Sequence, residues 1–331
     1  MCTAISDSGF CHLFGRTLDL ERSYGESAVI TPRDYRLEFI HEGALQSHPA
    51  MVGIACVRDG VPLYYDAVNQ SGLCAAALNF PGNAVYHEPK DGKRNVASFE
   101  LIPYILSKCR DLAEAVQLLR CANITKDSFS PDLPTTPLHW LIADKGGAIT
   151  VESVADGLRV YDNPFGVLTN NPDFPYHMTN ISNYMQLSPA PPENRLCPSV
   201  PIGAYSRGMG ALGLPGDLSS ASRFVRAVFA KSHTVCENTK EAEISRFFHI
   251  MDTVSQPRGC AVTDSQRPVA TVYTSCADTA TATYYFTTYA CRRIRALSLE
   301  RAYADPSELT VFPLESAEDI LRLNTSPPDG I

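Results

Sequence analysis

Segments with strand-like and helix-like patterns occur in blocks along this chain, in the order strands, helices, strands, helices, strands. Strict alternation would favour a parallel sheet, whereas blocks favour antiparallel sheets with separate helix layers. We therefore predict an α+β fold. The predicted strands cover residues 2–5, 10–15, 51–57, 61–65, 72–78, 139–142, 148–154, 158–161, 269–274, 283–289 and 296–299.

Four helices are predicted from apolar periodicity and from capping residues. The first begins near Phe99 with Ser98 as its cap, and the second is capped by Asp111 and runs through Cys121. The other two cover residues 221–231 and 240–254. The stretch 170–216 is rich in prolines and turn residues, which predicts a long loop.

Composition predicts a globular protein and argues against several classes of partner. The chain has 331 residues, of which 44% are hydrophobic, and neither a linker nor a repeat divides it. We expect one domain over residues 2–331, with Met1 removed. A formal net charge of −8 without a basic stripe argues against nucleic acid and against an anionic membrane surface. No apolar run reaches the roughly 20 residues of a membrane-spanning helix.

The cysteines and the first residues predict the compartment. There are eleven cysteines, an odd number, and they form neither a CxxC pair nor a cluster with zinc-ligand spacing. Residues 1–14 lack the basic and apolar segments of a secretion signal. We therefore expect a cytoplasmic protein with free thiols and without a metal or organic cofactor.

Cys2 is the residue with the clearest chemistry. Methionine is generally removed when the second residue is small, and the mature chain would then begin with Cys2. That residue would carry a thiol, with an ordinary pKa of about 8.5, and an α-amine, with an ordinary pKa of about 7.7–8. A nucleophile and its base would thus belong to one residue. Met-Cys alone is more often incidental, so other residues must support this reading.

Arg16 and Asp19 provide part of that support. A turn at residues 7–9 would pair Ile5 with about Cys11 and Cys2 with about Phe14. Arg16 and Asp19 would then lie just past the terminal cysteine. A carboxylate there can hold the α-amine, and a guanidinium there favours thiolate over thiol. Without Cys2, the same two residues would be read as an ordinary surface ion pair.

Short motifs form an ordered set over nearly the whole chain. They are Met1-Cys2-Thr3, Phe14-Gly15-Arg16-Thr17-Leu18-Asp19, Ala77-Leu78-Asn79-Phe80-Pro81-Gly82, Leu138-His139-Trp140, Leu168-Thr169-Asn170, Ser219-Ser220-Ala221-Ser222-Arg223-Phe224, Tyr284-Tyr285 and Thr287-Thr288-Tyr289. This set resembles the choloylglycine hydrolase family, which contains bile salt hydrolases and penicillin V acylases and belongs to the N-terminal nucleophile hydrolases. The resemblance implies an αββα sandwich, in which two stacked antiparallel sheets are flanked by helix layers.

The resemblance also implies roles for individual residues. Cys2 would be nucleophile and base, and Arg16 and Asp19 would lie beside it. Asn170 would offer its side-chain N–H to the oxyanion, and Asn79 would contribute a second donor, as acyl transfer requires. Further polar and substrate contacts would come from Arg223, Leu18 and Phe80.

Arg223 carries an independent hint. It falls in the first turn of a predicted helix capped near Ser219 or Ser220, where the helix dipole disfavours a cation. A cation at that place suggests a partner, and Asp19 or a nearby carboxylate is the expected one.

The substrate implied by the resemblance is an N-acyl amide with a bulky apolar acyl part. Within the family that this chain resembles, many penicillin V acylases carry an aromatic residue at the position of Asn79. The asparagine here therefore favours conjugated bile salts as substrates. Arg207 and Gly208 lie in a loop whose sequence, in bile salt hydrolases, is associated with the preference for taurine or glycine conjugates. An arginine there could form hydrogen bonds with the sulfonate of taurine. Three loops, at 15–22, 127–136 and 207–214, are expected to shape the pocket.

Other readings remain open from the sequence. The first is penicillin V acylase activity, or hydrolysis of another N-acyl amide. The second is a glutamine amidotransferase domain, which also begins Met-Cys but usually continues differently from Cys2-Thr3-Ala4. The third is a non-catalytic binding protein. The resemblance further implies a homo-oligomer, often a tetramer.

Overall fold

The computed structural model describes residues 1–299 and 307–322 of the chain. In that part of the chain, eighteen strands and five helices are seen. The strands are β1 (Cys2–Ser8), β2 (His12–Leu20), β3 (Glu26–Thr31), β4 (Leu37–Phe39), β5 (Gly43–Leu45), β6 (Met51–Arg58), β7 (Val61–Asn69), β8 (Cys74–Asn79), β9 (Arg94–Ala97), β10 (Ala122–Thr125), β11 (Leu138–Asp144), β12 (Gly147–Val154), β13 (Gly157–Asp162), β14 (Val167–Leu168), β15 (Ala270–Asp278), β16 (Thr283–Thr288), β17 (Arg295–Ser298) and β18 (Thr310–Pro313). The helices are α1 (Leu101–Lys108), α2 (Leu112–Arg120), α3 (Phe174–Asn180), α4 (Ser220–His233) and α5 (Lys240–Asp252).

Two antiparallel sheets form the centre of the molecule. The first has six strands in the order β14-β1-β2-β15-β16-β17, and the second has eight in the order β13-β12-β11-β8-β7-β6-β3-β18. Helices α4 and α5 pack on the first sheet, whereas α1 and α2 pack on the second. The layers therefore follow the order helix, sheet, sheet, helix, and the predicted α+β sandwich is confirmed.

The apolar core explains why the two sheets stack. One cluster joins Ile5 and Phe14 of the first sheet to Ile54 and Leu78 of the second, and it continues to Phe224 of α4. A second cluster fills the space between the eight-stranded sheet and helices α1 and α2. A strand that is buried on both faces reads as a continuous apolar run, as β8 does over Cys74 to Leu78.

The predicted register of the first hairpin is wrong. Cys2 pairs with Leu18 rather than with Phe14, and Ile5 pairs with Gly15. The turn lies two residues later than expected, because Asp7 continues β1 and its buried carboxylate bonds to Arg246 of α5. Arg16 is consequently paired with Ala4, and the Asp19 backbone lies opposite Met1.

Two of the predicted helix caps are confirmed and one is wrong. Asp111 caps α2 by accepting from the backbone N–H of Glu114 at 2.9 Å, and Ser219 caps α4, both as predicted. Ser98 instead lies within a 3₁₀ turn before α1, where the side chain of Glu100 accepts from the backbone N–H of Ala97. The predicted loop at 170–216 contains α3, which follows Asp173 and has a proline in its first turn.

Candidate active site

Cys2 lies at the start of β1 and is buried, with 2% of its surface exposed. Its backbone N–H donates to Oδ1 of Asn170 at 2.8 Å. Met1 continues the strand beyond it: the Met1 ammonium donates to the Asp19 carbonyl at 2.8 Å, and the Asp19 N–H donates to the Met1 carbonyl at 3.0 Å. Met1 therefore occupies the position next to the backbone nitrogen of Cys2, where it bonds to the Asp19 backbone.

Asp19 is fully buried on β2 and is held by two threonines. The Thr271 hydroxyl donates to Oδ1 at 2.7 Å, and the Thr17 hydroxyl donates to Oδ2 at 3.3 Å. Thr271 Oγ1 also accepts from the backbone N–H of Gln256 at 2.7 Å, which leaves its own proton for Asp19. Burial raises the pKa of Asp19, and Arg223, the chain's N-terminal ammonium and Thr271 offset only part of that effect.

Arg16 reaches from β2 into the opposite sheet. Its Nη1 donates to the backbone carbonyls of Tyr65, at 3.1 Å, and Ala77, while its Nε donates to the Thr17 carbonyl at 3.2 Å. Burial alone would lower its pKa, but the nearby Cys2, Tyr273 and other acidic groups raise it overall. Nη2 is buried without a hydrogen-bond partner in the described residues, so one donor of this cation remains for a further group.

Arg223 joins three parts of the site from the first turn of α4. Nη1 donates to the Cys2 carbonyl and to the Thr3 hydroxyl at 2.7 Å, Nη2 donates to Oδ1 of Asn170 at 2.7 Å, and Nε donates to the Leu218 carbonyl at 3.0 Å. Burial lowers its pKa, and Asp19 and Cys2 oppose that effect. The expected carboxylate partner is therefore replaced, among residues 1–299 and 307–322, by neutral oxygen acceptors, and Asp19 acts on it only through space.

The oxygen and the nitrogen of the Asn170 side-chain amide are both hydrogen-bonded. Oδ1 accepts from the Cys2 backbone and from Arg223, and Nδ2 donates to the backbone carbonyl of Asn79 at 2.7 Å. These partners determine the orientation of the amide. Its backbone N–H donates to the Ser220 hydroxyl at 2.8 Å. One of the two Nδ2 N–H groups is thus bonded to the Asn79 carbonyl, which leaves the second as the donor that the family resemblance assigns to an oxyanion.

Asn79 ends β8 and is half-buried, and its side-chain amide has no hydrogen-bond partner among the described residues. The next residue, Phe80, is fully buried and stacks on His139 with ring centroids 4.2 Å apart, which fixes the backbone at the end of β8. His139 in turn contacts Glu152 at 3.1 Å and the Thr169 carbonyl at 3.0 Å. The side-chain amide of Asn79 is therefore free to bind a substrate oxygen.

The structure brings six predicted residues together and leaves two apart. Leu18 lies opposite Cys2 and is buried, so with Met1 in place it belongs to the core around the thiol. Arg207 and Gly208 lie on an exposed loop, and no hydrogen bond or ion pair of the described residues connects them to Cys2. The residues that converge are Cys2, Arg16, Asp19, Asn79, Asn170 and Arg223.

Sequence reasoning missed the groups that support this cluster. Thr17 and Thr271 hold Asp19, and His139 with Glu152 holds the segment before Asn170. His139 and Thr17 stand inside the ordered motifs, which was a usable signal, whereas nothing near Thr271 marks it. Within the described ranges, no three His, Cys, Asp or Glu side chains are grouped as metal ligands, and no helix has the length and apolar character to cross a bilayer.

Comparison with known proteins adds a family and three similar proteins. Residues 2–312 match the model of the linear amide C–N hydrolases, choloylglycine hydrolase family. A bile salt hydrolase/transferase from Lactiplantibacillus plantarum is 45% identical over 325 residues, which cover 98% of this chain and 100% of that protein. The crystal structure of a mutant conjugated bile acid hydrolase from Clostridium perfringens has a TM-score of 0.90 at 32% identity, covering 98% of this chain and 100% of that one.

A more distant structure shares the fold. Penicillin V acylase from Agrobacterium tumefaciens has a TM-score of 0.73 at 17% identity, and the match covers 94% of this chain and 90% of that one. At that identity the likeness concerns the fold alone.

Proposed function

Because this chain belongs to the choloylglycine hydrolase family and is a hydrolase of linear amide C–N bonds, we propose that it cleaves glycine- or taurine-conjugated bile salts with Cys2 as an N-terminal nucleophile. The substrate class is supported by the bile salt hydrolase/transferase that is 45% identical over its full length. The nucleophile is supported by one observation above all: Asn170 and Arg223, both buried, bond directly to the backbone of Cys2.

Loss of Met1 is the first step of the proposal. It converts the Cys2 amide nitrogen, 2.8 Å from Oδ1 of Asn170, into a free α-amine that can accept a proton near neutral pH. It also frees the N–H and the carbonyl of Asp19 that Met1 occupies.

Acylation then follows from the groups around Cys2. The α-amine takes the thiol proton, and the sulfur attacks the amide carbonyl carbon, forming a C–S bond while the carbonyl oxygen gains negative charge. The tetrahedral intermediate collapses with cleavage of the C–N bond, and the α-ammonium gives its proton to the departing nitrogen. The products of this half are a thioester on Cys2 and free glycine or taurine.

Deacylation uses the same groups in reverse. The α-amine takes a proton from a water molecule, whose oxygen attacks the thioester carbonyl. The C–S bond then breaks to release the bile acid, and the α-ammonium returns its proton to the departing sulfur. In both halves the oxyanion needs fixed donors in a dry site. We assign the second side-chain N–H of Asn170 and the unpartnered side-chain amide of Asn79 to this task, and we assign Nη2 of Arg16 to the thiolate.

The exposed loop with Arg207 and Gly208 is proposed to meet the conjugate. The Arg207 guanidinium has no partner among the described residues and can bond to a sulfonate or carboxylate. Arg207→Ala is expected to lower kcat/KM several-fold for taurocholate and less for glycocholate. Equal rates on both substrates in the wild type, unchanged in the variant, would remove Arg207 from the proposal.

The first experiment measures release of taurine and glycine from taurocholate and glycocholate. Intact mass of the purified protein first establishes whether Met1 has been removed. Cys2→Ser and Cys2→Ala are assayed in parallel, with Cys11→Ala as the matched control because it lies on the turn of the same hairpin. We expect release by the wild type and by Cys11→Ala, and at most residual release by the two Cys2 variants.

The outcomes separate substrate from mechanism. Release that persists in Cys2→Ala would overturn the nucleophile. A wild type without Met1 that is silent on bile salts but cleaves penicillin V would overturn the substrate and keep the mechanism.

A further inference from the structure

The eight-stranded sheet has a break at the place where Arg16 enters it. Strands β7 and β8 pair as far as Asp66 and Ala76, and the next pair, Tyr65 with Ala77, is not formed. On the other side of β7, Asp66 faces Ile54 and Tyr64 faces Ala55, so that Tyr65 is a bulged residue without a partner. Nη1 of Arg16 donates to the carbonyls of Tyr65 and Ala77. The guanidinium thus bonds to the carbonyl groups that the break leaves open.

Asp66 stands beside this break, and its carboxylate points to the other sheet. Oδ1 accepts from the Tyr273 hydroxyl, and Oδ2 accepts from Ser275 at 2.8 Å and from Tyr284 at 2.6 Å. All three donors lie on β15 and β16, and Asp66 is 1% exposed. Three hydroxyl donors on two oxygens and a nearby buried cation favour the ionised form of this carboxyl group.

Asp66 and Arg16 are connected in two ways. Ser275 accepts from the backbone N–H of Arg16 at 3.0 Å and donates to Asp66, so one hydroxyl joins the two residues. Their charges also act on each other directly: burial raises the pKa of Asp66, and Arg16 is the strongest of the groups that oppose this rise. Asp66 is in turn one of the acidic groups that raise the pKa of Arg16.

We propose that Asp66 is a positioning residue for Arg16: through Ser275 it fixes the Arg16 backbone beside the break between β7 and β8, and its negative charge sets how strongly Arg16 favours the Cys2 thiolate. This inference rests on the proposed role of Cys2 as nucleophile. It assigns to Asp66 no contact with the substrate. Without the negative charge of Asp66, Arg16 would favour the thiolate of Cys2 more strongly.

Other ionisable groups also face this region, and the test must keep them constant. They are Asp19 on β2, Arg223 on α4, Tyr273 on β15, Tyr284 on β16, Cys74 on β8 and the N-terminal amine. None of these is altered in the neutral variant Asp66→Asn, which has nearly the same size as the wild-type residue.

The test is the pH dependence of Cys2 alkylation in protein that has lost Met1. The rate of modification by iodoacetamide is measured by mass spectrometry on the tryptic peptide 2–16, with fragmentation to distinguish Cys2 from Cys11. We expect the midpoint of the rate profile to move to lower pH in Asp66→Asn by about one unit, because a buried negative charge that acts on Arg16 is removed. Tyr284→Phe keeps the charge and two of the three hydroxyl bonds, and its midpoint should move much less.

Several outcomes would overturn the inference. A folded Asp66→Asn variant with the midpoint of the wild type would show that Asp66 is structural only. An equal displacement in Tyr284→Phe would show that packing, rather than charge, is responsible. If Asp66→Asn does not fold, Asp66→Ser provides a second neutral residue with the same expected direction. A wild-type Cys2 that is not alkylated at any pH would overturn the nucleophile together with this inference.

Discussion

At the scale of single residues, Arg223 shows how much one side chain does here. One guanidinium bonds to the backbone of Cys2, the side chains of Thr3 and Asn170 and the carbonyl of Leu218. These acceptors lie in three separate parts of the fold. A planar group with five N–H donors can serve them all, and an ammonium cannot.

Arg223→Lys should therefore damage both stability and hydrolysis. Acceptors that lose their donor in a buried site should lower the free energy of unfolding by about 1–3 kcal/mol. Displacement of Cys2 and Asn170 should lower kcat/KM about 100-fold. The control is Arg226→Lys on the same helix, since Arg226 is partly exposed and bonds to the Thr253 and Pro215 carbonyls instead. Equal kinetic losses in the two variants would contradict the role given to Arg223.

Asp19 is predicted to reduce stability at neutral pH, because burial raises its pKa. A carboxyl with a raised pKa binds its proton more tightly in the folded state. Its contribution to the free energy of unfolding is therefore most favourable below the ordinary carboxyl pKa, about 4, and falls as pH rises through the folded-state pKa. We expect Asp19→Asn to unfold at a higher temperature than the wild type at pH 7, to converge with it near pH 4, and to lose hydrolysis.

Thermal unfolding of the two proteins at pH 4 and pH 7 tests this expectation. A lower unfolding temperature for Asp19→Asn at pH 7 would mean that Arg223 and the N-terminal amine stabilise the carboxylate more than burial disfavours it.

Site residues that stand in recognisable local motifs could be predicted from the sequence. Residues whose partners are distant in the sequence could not. Cys2, Arg16 and Asp19 stand in short motifs near the N-terminus, and Arg223 is marked by its unusual place in a helix. Asp66 was missed, since the predicted strand ended at Tyr65, one residue before it. Its partners lie more than 200 positions away, and no local pattern connects them to it.

At the scale of elements, helix caps could be predicted and the hairpin register could not. Asp111 caps α2 through a hydrogen bond to a residue three positions on, so its signal is local. The position of the first turn instead depends on Asp7, whose partner is Arg246 on α5. Asp7, Ser8 and Gly9 are typical turn residues, but the buried ion pair between Asp7 and Arg246 keeps Asp7 in β1 and the turn forms later. That choice moved Arg16 from the end of the hairpin to a place opposite Ala4.

Gly15 makes the close approach of β2 and β15 possible. A Cβ at this position would lie 2.0 Å from the carbonyl oxygen of Ser275. Gly15→Ala should therefore push the two strands apart and break the bond from the Arg16 N–H to Ser275. We expect a loss of about 1–3 kcal/mol in the free energy of unfolding and a fall in kcat. Chemical denaturation with activity assays checks this, and Gly203→Ala, where a Cβ meets nothing within 4 Å, is the control.

At the scale of the whole molecule, the segment 185–212 carries apolar side chains into solvent. Met185, Leu196 and Tyr205 are 83%, 93% and 84% exposed. Such a concentration of exposed apolar groups is typical of an interaction surface. We propose that this segment is buried between copies of the chain in a closed homo-oligomer, as the family resemblance implies.

Sedimentation velocity tests the oligomer. The wild type should sediment as a multiple of its mass of 36.2 kDa, and Leu196→Glu together with Tyr205→Glu should shift it toward the monomer. Val235→Glu is the control, because Val235 is 90% exposed outside this segment. A monomeric wild type would contradict the proposal.

The pairing of β2 with β15 has a consequence for how the protein is made. Cys2 and Asp19 are translated at the very start of synthesis. Thr271, whose hydroxyl donates to Asp19, is translated 252 positions after Asp19. The hydroxyl groups on β15 and β16 that hold Asp66 also emerge near the end of translation. A nascent chain therefore contains Cys2 long before the hydroxyl groups that hold Asp19 and Asp66 exist. Activity would appear only with the last strands, so that hydrolysis reports the completion of folding.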